Sequence, residues 1–190
     1  GYWTDSIWYS LMSLAGKLLI AHPNVPVGNP FHRAVIYLYQ DNTQEGSIGV
    51  IINKPSKFSL VEVFKDKGLE YPWSKKFIYH GGPVTQNALV LLHTNDWSST
   101  NTATGGLNLC VSSDNQMFEK LAMGDEPIYW RLFGGMCGWA PGQLQAEMKG
   151  SFPYRAENSW LTADANDTFI FSQQGEKQWQ MAFELSSQQL

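Results

Sequence analysis

Strand-like segments that follow one another without a helix between them most restrict what this chain can fold into. Two β-branched or aromatic runs flank the polar residues 41–46, and two more flank residues 80–87. Short connections of this kind are typical of hairpins, whereas parallel strands need a long crossover between them. The pattern therefore predicts an α+β fold with a mixed or antiparallel sheet rather than a doubly wound parallel one.

Composition and end signals predict eight strands and four helices. Two helices follow capping boxes that begin at Ser59 and Ser113, and the second of them ends at Gly124. Two more helices are predicted over residues 141–150 and 176–186. The strands are runs bounded by Gly, Pro, Asn or Asp, over residues 17–21, 34–39, 47–52, 77–79, 88–93, 107–111, 128–133 and 168–171.

Length and hydrophobic content indicate one domain. The chain has 190 residues, of which 43% are hydrophobic, and this suffices for one buried core but not for two ordinary ones. We expect an amphipathic helix over residues 1–15 and a single domain over residues 16–190, with the helix packed on this domain or on a second subunit of an oligomer. The helix is predicted from an apolar stripe at helical spacing, formed by Trp3, Ile7, Trp8, Leu11, Met12 and Ala15.

Charge and thiol content argue against several classes of function. The chain has 13 Lys and Arg against 17 Asp and Glu, a net charge of −4, and lacks the basic run that direct contact with nucleic acid requires. No basic signal-peptide region precedes Lys17, and the apolar stripe is too short to span a membrane. Cys110 and Cys137 form neither a disulfide framework nor a CxxC motif, so we expect a reducing, cytoplasmic setting. The four histidines have no zinc-ligand spacing, so neither a metal nor a cofactor is predicted.

A glycine-rich segment over residues 134–142 is the first candidate site. It contains four glycines and is predicted to leave a strand and enter a helix. Glycines permit close approach of the backbone, and a helix N-terminus directs free N–H groups at an anion. The segment matches no dinucleotide or P-loop fingerprint, so a tight turn that lets Trp139 pack is the alternative. The ligand-binding candidates within it are Gly138, Trp139, Gly142 and Gln143.

Two further segments and one arginine complete the candidate binding set. Asn53 and Lys54 end an apolar strand, where the ammonium either meets an anion or lies at the solvated rim. Gly81 and Gly82 resemble the glycine loop of lipases, but no GxSxG nucleophile elbow accompanies them, which favours a simple turn. Arg33 precedes a strand and either clamps a carboxylate or neutralises an internal acid. The site is expected where the glycine-rich segment meets its helix, beside the strand that ends at Asn53.

The order of these short motifs carries a resemblance that spans most of the chain. The motifs are residues 16–21 with Pro23, Phe31 and Arg33 before residues 35–38, residues 49–55, residues 81–84, Leu92 with His93, Ser113 with Asp114, residues 121–124, Gly138 with Trp139, residues 142–144 with Glu147, Trp160 with Leu161, and Trp179. This series resembles the YqgE/AlgH family of largely uncharacterised bacterial proteins. The resemblance implies an α+β fold with a mixed, partly barrel-like sheet flanked by helices, a cytoplasmic bacterial setting, no established enzymatic activity, and a link to regulation of exopolysaccharide genes.

The chain departs from the family pattern at three positions. Gly28 stands where an acidic residue is usual, Gln40 where a His is common, and Gln145 where a Glu usually follows. Loss of carboxylate and imidazole groups weakens any acid–base mechanism at these positions. The segment over residues 147–158 is also longer than is usual in the family.

Two classes of function remain open from the sequence. The favoured one is a non-catalytic binding or regulatory module for a small anion or a protein partner, because no set of nucleophile, base and orienting group is recognisable. The alternative is a hydrolase or group transferase that uses Cys137 or a His with backbone N–H groups as oxyanion donors. This alternative requires an accessible thiol within hydrogen-bond reach of a His, about 3 Å. Regulation by direct contact with DNA ranks third.

Overall fold

The computed structural model describes residues 13–149 and 160–188. The helix predicted over residues 1–15 lies almost entirely outside the described residues, as does most of the segment over residues 147–158. Within the described residues the strands are β1 (Lys17–Ala21), β2 (Val35–Asn42), β3 (Gly46–Ile51), β4 (Pro55–Ser59), β5 (Phe77–His80), β6 (Val84–Thr94), β7 (Ala103–Thr104), β8 (Leu109–Ser112), β9 (Trp130–Trp139) and β10 (Trp160–Asp164). The helices are α1 (Leu60–Asp66), α2 (Asn115–Ala122), α3 (Gln143–Lys149), α4 (Asp167–Ser172) and α5 (Gly175–Gln188).

The ten strands form one sheet that curls into a half-barrel. Neighbouring strands follow the order β10-β1-β2-β3-β9-β6-β8-β7 and pair in antiparallel fashion throughout. Strand β5 adds the one parallel pairing among the described residues, with β9, and β4 pairs with β5. The predicted α+β fold with a mixed, mostly antiparallel and partly barrel-like sheet is confirmed.

Strand β9 organises the sheet because it has different neighbours along its two edges. One edge pairs with β6, and the other pairs first with β5, at Phe133 and Gly134, and then with β3. Strands β5 and β6 therefore lie on opposite edges of β9, and the hairpin predicted across residues 80–87 is wrong. The hairpin predicted across residues 41–46 is confirmed, since Asn42 pairs with Gly46.

Strands β1 to β3 form the centre of the core and are buried on both faces. Leu18 and Ile20 of β1 pack towards α4 and α5, whereas Leu19 packs towards Leu144 of α3. A strand covered on both faces has no solvent side, which explains why its sequence is continuously apolar rather than alternating. A separate cluster joins α1 and α2 to β6 and β9, through Phe64, Phe118, Leu91 and Leu132.

The N-terminal ends of α1 and α2 are each capped by a side chain, close to where the sequence predicted the caps. The Ser59 hydroxyl accepts a hydrogen bond from the backbone N–H of Glu62 at 3.1 Å, which confirms Ser59 as the N-cap of the first predicted helix. The second helix is capped one residue later than predicted, by Asp114, whose carboxylate accepts from the N–H of Met117 at 2.9 Å. The carboxylate replaces the Ser113 hydroxyl, which instead accepts from the side-chain amide of Asn101.

The strand predicted over residues 168–171 is wrong, because these residues belong to α4. Periodicity cannot distinguish a strand from a helix over four apolar residues. The helical signal lies just before them, where the Asn166 side chain accepts from the N–H of Phe169 at 2.8 Å and Asp167 occupies the first turn. Strands β4, β7 and β10 were not predicted.

Candidate functional site

Most of the glycine-rich segment, residues 134–139, is part of strand β9, and only residues 140–142 form the predicted turn before a helix. Gly134, Gly135 and Gly138 all belong to β9. A Cβ on Gly81 would lie 2.3 Å from the carbonyl oxygen of Gly135, and a Cβ on Gly135 would lie 2.4 Å from that of Gly82. The glycines therefore let the segment between β5 and β6 cross directly against β9, and their N–H and C=O groups serve that contact: Gly81 N–H donates to the Gly134 carbonyl at 2.9 Å.

The turn that does precede α3 lies at the wrong end of β3 for the predicted site. Trp139 pairs with Ser47 near the start of β3, whereas Asn53 follows its end. The Gln143 side chain accepts from the N–H of Ala140 at 3.0 Å, so it closes the turn itself. The glycine-rich segment does lie beside the strand that leads to Asn53, as predicted, but the turn before α3 is at the opposite end of that strand. Ligand binding by Gly138, Trp139, Gly142 and Gln143 stays a prediction, and no hydrogen bond or charge among the described residues favours it.

Asn53 connects three parts of the chain and uses its whole side chain to do so. It is 2% exposed. Its Oδ1 accepts from the N–H of Val35 at 2.9 Å, and its Nδ2 donates to the carbonyl oxygens of Arg33, at 2.9 Å, and Gly175, at 3.0 Å. Its own carbonyl accepts from the N–H of Gly175 at 2.8 Å. Because both amide protons are engaged, Asn53 has no donor left for a ligand.

The two predicted cations beside Asn53 are also engaged by the protein. Arg33 forms an ion pair with Glu176, and its guanidinium lies 5.5 Å from the ring centroid of Trp179. Arg33 therefore pairs with an acid of the protein, although Glu176 is an exposed carboxylate and not the internal acid that the sequence alternative named. The ammonium of Lys54 donates to the carbonyl oxygen of Pro30 at 2.9 Å, and partial burial lowers the pKa of Lys54.

Cys137 lacks the surroundings of a catalytic thiol. It is 1% exposed and its Sγ lies 3.5 Å from the carbonyl oxygen of Gly81. Burial raises the pKa of Cys137 to about 12, so the thiol stays protonated at neutral pH, whereas a nucleophile must be a thiolate. His93 is fully buried with both ring nitrogens in use, on the Thr94 carbonyl and the Ser112 hydroxyl, each at 2.8 Å. Among the described residues, no hydrogen bond joins a histidine to Cys137.

A cleft of about 680 Å³ opens on another face of the sheet, and the sequence did not predict it. It lies over β5 and the first part of β9 and is bounded by the connection between α4 and α5. Among the described residues that line it, three are cationic and none is Asp or Glu, although the whole chain carries a net charge of −4. The lining residues are Pro55, Leu60, Lys76, Phe77, Tyr79, Trp130, Arg131, Leu132, Phe171, Ser172, Gln173, Gln174 and Lys177.

Arg131 is the most unusual group of the cleft, because it is a buried charge that no carboxylate of the described residues pairs. It is 9% exposed. Its guanidinium donates to the carbonyl oxygens of Ile52 at 2.7 Å, Gln173 at 3.0 Å and Phe171 at 3.3 Å. Burial lowers the pKa of Arg131, but an arginine starts so far above neutrality that it keeps its charge. Charged groups are rarely buried without a counter-ion.

Tyr79 packs on this guanidinium and forms a hydrogen bond with the connection between α4 and α5. Its ring centroid lies 4.2 Å from the Cζ of Arg131, and its hydroxyl donates to the Oε1 of Gln174 at 2.7 Å. Burial raises the pKa of Tyr79 although Arg131 opposes this, so the phenol stays neutral and repels no anion. Phe77 lies two residues earlier on β5, on the same face of the strand, and is 50% exposed.

The cleft lies close to the end of β3, where the sequence placed the candidates Asn53 and Lys54. Ile52 supplies the carbonyl nearest to Arg131, and Asn53 holds Gly175, where α5 begins. Asn53 thereby fixes the wall that carries Gln174 and Lys177, although it does not line the cleft itself. Sequence reasoning did not select Arg131. It could have been found as an arginine within the otherwise apolar run over residues 130–133, because a charged residue is rarely buried unless it has a partner.

Comparison with known proteins assigns the family. The model of the AlgH-like family, DUF179, matches residues 18–190. The chain belongs to this AlgH-like family. The resemblance to the YqgE/AlgH proteins is thereby confirmed.

Individual relatives agree with this assignment over nearly the whole chain. A UPF0301 protein of Rickettsia rickettsii (strain Sheila Smith) is 33% identical over 181 residues, which are 94% of this chain and 90% of the relative. A UPF0301 protein of Methylococcus capsulatus is 32% identical and covers 88% of each chain. The solution structure of the AlgH protein from Pseudomonas aeruginosa is similar with a TM-score of 0.74 and 29% identity, covering 91% of this chain and 88% of that one. The crystal structure of DIP2367 from Corynebacterium diphtheriae, at 23% identity and a TM-score of 0.66 over 86% and 82% of the two chains, supports the fold alone.

The described residues of this AlgH-like chain offer neither a membrane-spanning helix nor a cluster of metal ligands. None of their helices combines the length and the apolar character needed to cross a bilayer. No group of three or more His, Cys, Asp or Glu side chains within the same residues is arranged to hold a metal ion.

Proposed function

We propose that this AlgH-like chain is a non-catalytic binding module that holds a small anion in the cleft above Arg131. The observation that carries the proposal is the buried guanidinium, which has no carboxylate partner within residues 13–149 and 160–188. Removing a charge from water costs several kcal/mol, and hydrogen bonds to three carbonyl groups offset only part of that cost. A bound anion would supply the missing counter-charge.

Two further features of the cleft support an anion. Lys76 and Lys177 line it and are exposed, so they add positive charge at its mouth. The helix α5, of 14 residues, begins at Gly175 beside the cleft, and the N-terminal end of a helix carries partial positive charge. An acidic protein that gathers cations in one concave place and excludes carboxylates from it creates a local field that favours anions.

The regulatory and cytoplasmic aspects belong to the same proposal. A binding module without a basic surface run would influence gene expression through its ligand or a protein partner rather than by touching DNA. The setting proposed is a reducing cytoplasm, because both cysteines are free thiols that stand far apart in the sequence.

Isothermal titration calorimetry with inorganic phosphate, pyrophosphate and sulfate tests the proposal. We expect saturable binding that weakens as the salt concentration rises, because the charges at the mouth are screened. Lys76→Gln and Lys177→Gln should each weaken binding by about three- to ten-fold, which corresponds to the loss of one partly exposed charge contact of about 1 kcal/mol.

The matched control is Lys65→Gln, which removes an exposed lysine of α1 that does not line the cleft. It should leave the affinity unchanged while changing the net charge of the protein by the same amount. Absence of binding by all three anions at millimolar concentration, or an equal loss of affinity in the control, would refute the proposal.

A further inference from the structure

We infer that the natural ligand of the cleft is a phosphate that carries a planar ring, of the nucleoside phosphate class. This inference rests on the proposed function, since it names the kind of anion that the same cleft would take. It is drawn from the aromatic side chains of the lining, which an inorganic anion would not need.

The cleft is too large for an inorganic anion and has the size of a small-molecule site. Its volume of about 680 Å³ falls within the range of roughly 300 to 1,000 Å³ that is usual for pockets that bury an organic ligand. Phosphate alone would leave most of that space to water. The remaining space is flanked by rings, because Phe77, Tyr79, Trp130 and Phe171 all line the cleft.

One of these rings is unoccupied and three are already engaged. Tyr79 packs on the Arg131 guanidinium, Trp130 meets Tyr71 edge-on at 6.4 Å, and Phe171 stacks on Tyr129 at 6.0 Å. Phe77 has no ring partner among the described residues and is half exposed. An exposed aromatic face beside cations is the usual arrangement for stacking a nucleobase while the phosphate meets the positive charge.

Polar side chains at the same wall suit the edge of a base. Ser172, Gln173 and Gln174 line the cleft between α4 and α5 and offer hydroxyl and amide groups. The Oε1 of Gln174 accepts from Tyr79, which orients the amide and leaves its nitrogen as a donor. A few placed polar groups among apolar and aromatic side chains are what fix the orientation of a small ligand.

The observations favour a mononucleotide over a single-stranded nucleic acid. A polymer would need a groove of cations that tracks several phosphates. The cleft has three cations, and the rest of the chain has a surplus of carboxylates that repels a polyanion. One phosphate-bearing unit therefore matches the charge available.

The decisive experiment separates the ring from the phosphate. Calorimetry at one fixed salt concentration compares the four common ribonucleoside monophosphates with ribose 5-phosphate, which keeps the phosphate and sugar and lacks the base. We expect at least one nucleoside monophosphate to bind about ten-fold more tightly than ribose 5-phosphate, a typical gain from stacking one base on one ring. Phe77→Ala should bring that ratio close to one and leave the affinity for ribose 5-phosphate unchanged.

Phe58→Ala is the matched control. Phe58 lies on the neighbouring strand β4, is 57% exposed and does not line the cleft, so its loss should not change the ratio. Equal affinity for ribose 5-phosphate and every nucleotide would overturn the inference and leave the anion-binding function standing. Failure of every phosphate compound to bind would overturn both, and tighter binding of a short single-stranded oligonucleotide than of any mononucleotide would overturn the mononucleotide assignment.

Discussion

Replacement of Asn53 by alanine tests whether this residue holds the wall of the cleft or binds a ligand. The side chain is 2% exposed and makes three hydrogen bonds, to Val35, Arg33 and Gly175. Each bond contributes about 1 kcal/mol net, so Asn53→Ala should lower the free energy of unfolding of the unliganded protein by about 3 kcal/mol. The N–H of Val35 is buried and loses its partner, which adds to this cost, whereas the carbonyl groups of Arg33 and Gly175 are only partly buried and can bond to water instead.

The corresponding loss of thermal stability is easily measured. In a chain of 190 residues, 1 kcal/mol corresponds to about 2 to 4 °C in Tm, so the variant should melt about 6 to 12 °C lower. Urea unfolding followed by circular dichroism gives the free energy and reports through the m-value whether the unfolding remains two-state. Anion affinity should fall as well, because Gly175 is released at the start of the wall that carries Lys177.

Asn87→Ala is the control, since Asn87 is exposed and makes no side-chain hydrogen bond among those of the described residues. It should leave Tm within about 1 °C of the parent, as surface substitutions usually do. An Asn53→Ala variant that keeps the parent stability but loses anion binding would refute the structural role and restore Asn53 as a ligand-binding residue.

Three further predictions follow from the buried groups. Arg131→Met should abolish the rise in Tm that phosphate gives the parent protein in differential scanning fluorimetry, whereas Arg131→Lys should retain part of that rise because the positive charge remains. An equal rise in Tm in all three proteins would contradict the role of the guanidinium. The pKa of Cys137 is about 9 in the unfolded chain and about 12 in the folded protein, so the thiol contributes its full stabilisation below pH 9 and loses about 1.4 kcal/mol of it per pH unit above that. Cys137→Ala should therefore reduce the fall in the free energy of unfolding that urea melts measure between about pH 8 and 10.5. Gly81→Ala should prevent folding or lower the free energy of unfolding by more than about 3 kcal/mol, because the added Cβ would lie 2.3 Å from a backbone oxygen. Gly138→Ala, whose Cβ would meet no atom within 4 Å, should lower it by less than about 1 kcal/mol, and equal losses for the two variants in urea melts would contradict the close contact at Gly81.

The parts of the fold that the sequence could predict are those fixed by neighbouring residues. The hairpin at Asn42 and the cap at Ser59 depend on a turn and on a side chain that bonds three residues ahead. The glycines of β9 misled the prediction because glycine is common in turns and weak in strands. Their reason is a partner distant in sequence, the backbone of Gly81 and Gly82, and no local pattern shows that contact.

The sequence placed its candidate anion site at a different location from the cleft that the structure contains. The sequence suggested an anion from glycines and a helix start. The cations of the cleft come instead from three separate elements: Lys76 precedes β5, Arg131 lies on β9 and Lys177 lies on α5. Their spacing in the sequence carries no motif, because contacts between distant parts of the chain bring them together. The parallel pairing of β5 with β9 brings Lys76 towards Arg131, and the hydrogen bonds between Asn53 and Gly175 fix the start of α5, which carries Lys177. What the sequence does carry is the conflict at Arg131, a charge in an apolar strand run. Only the fold shows that three carbonyl groups satisfy this charge in part, and the proposed anion would supply the missing counter-charge.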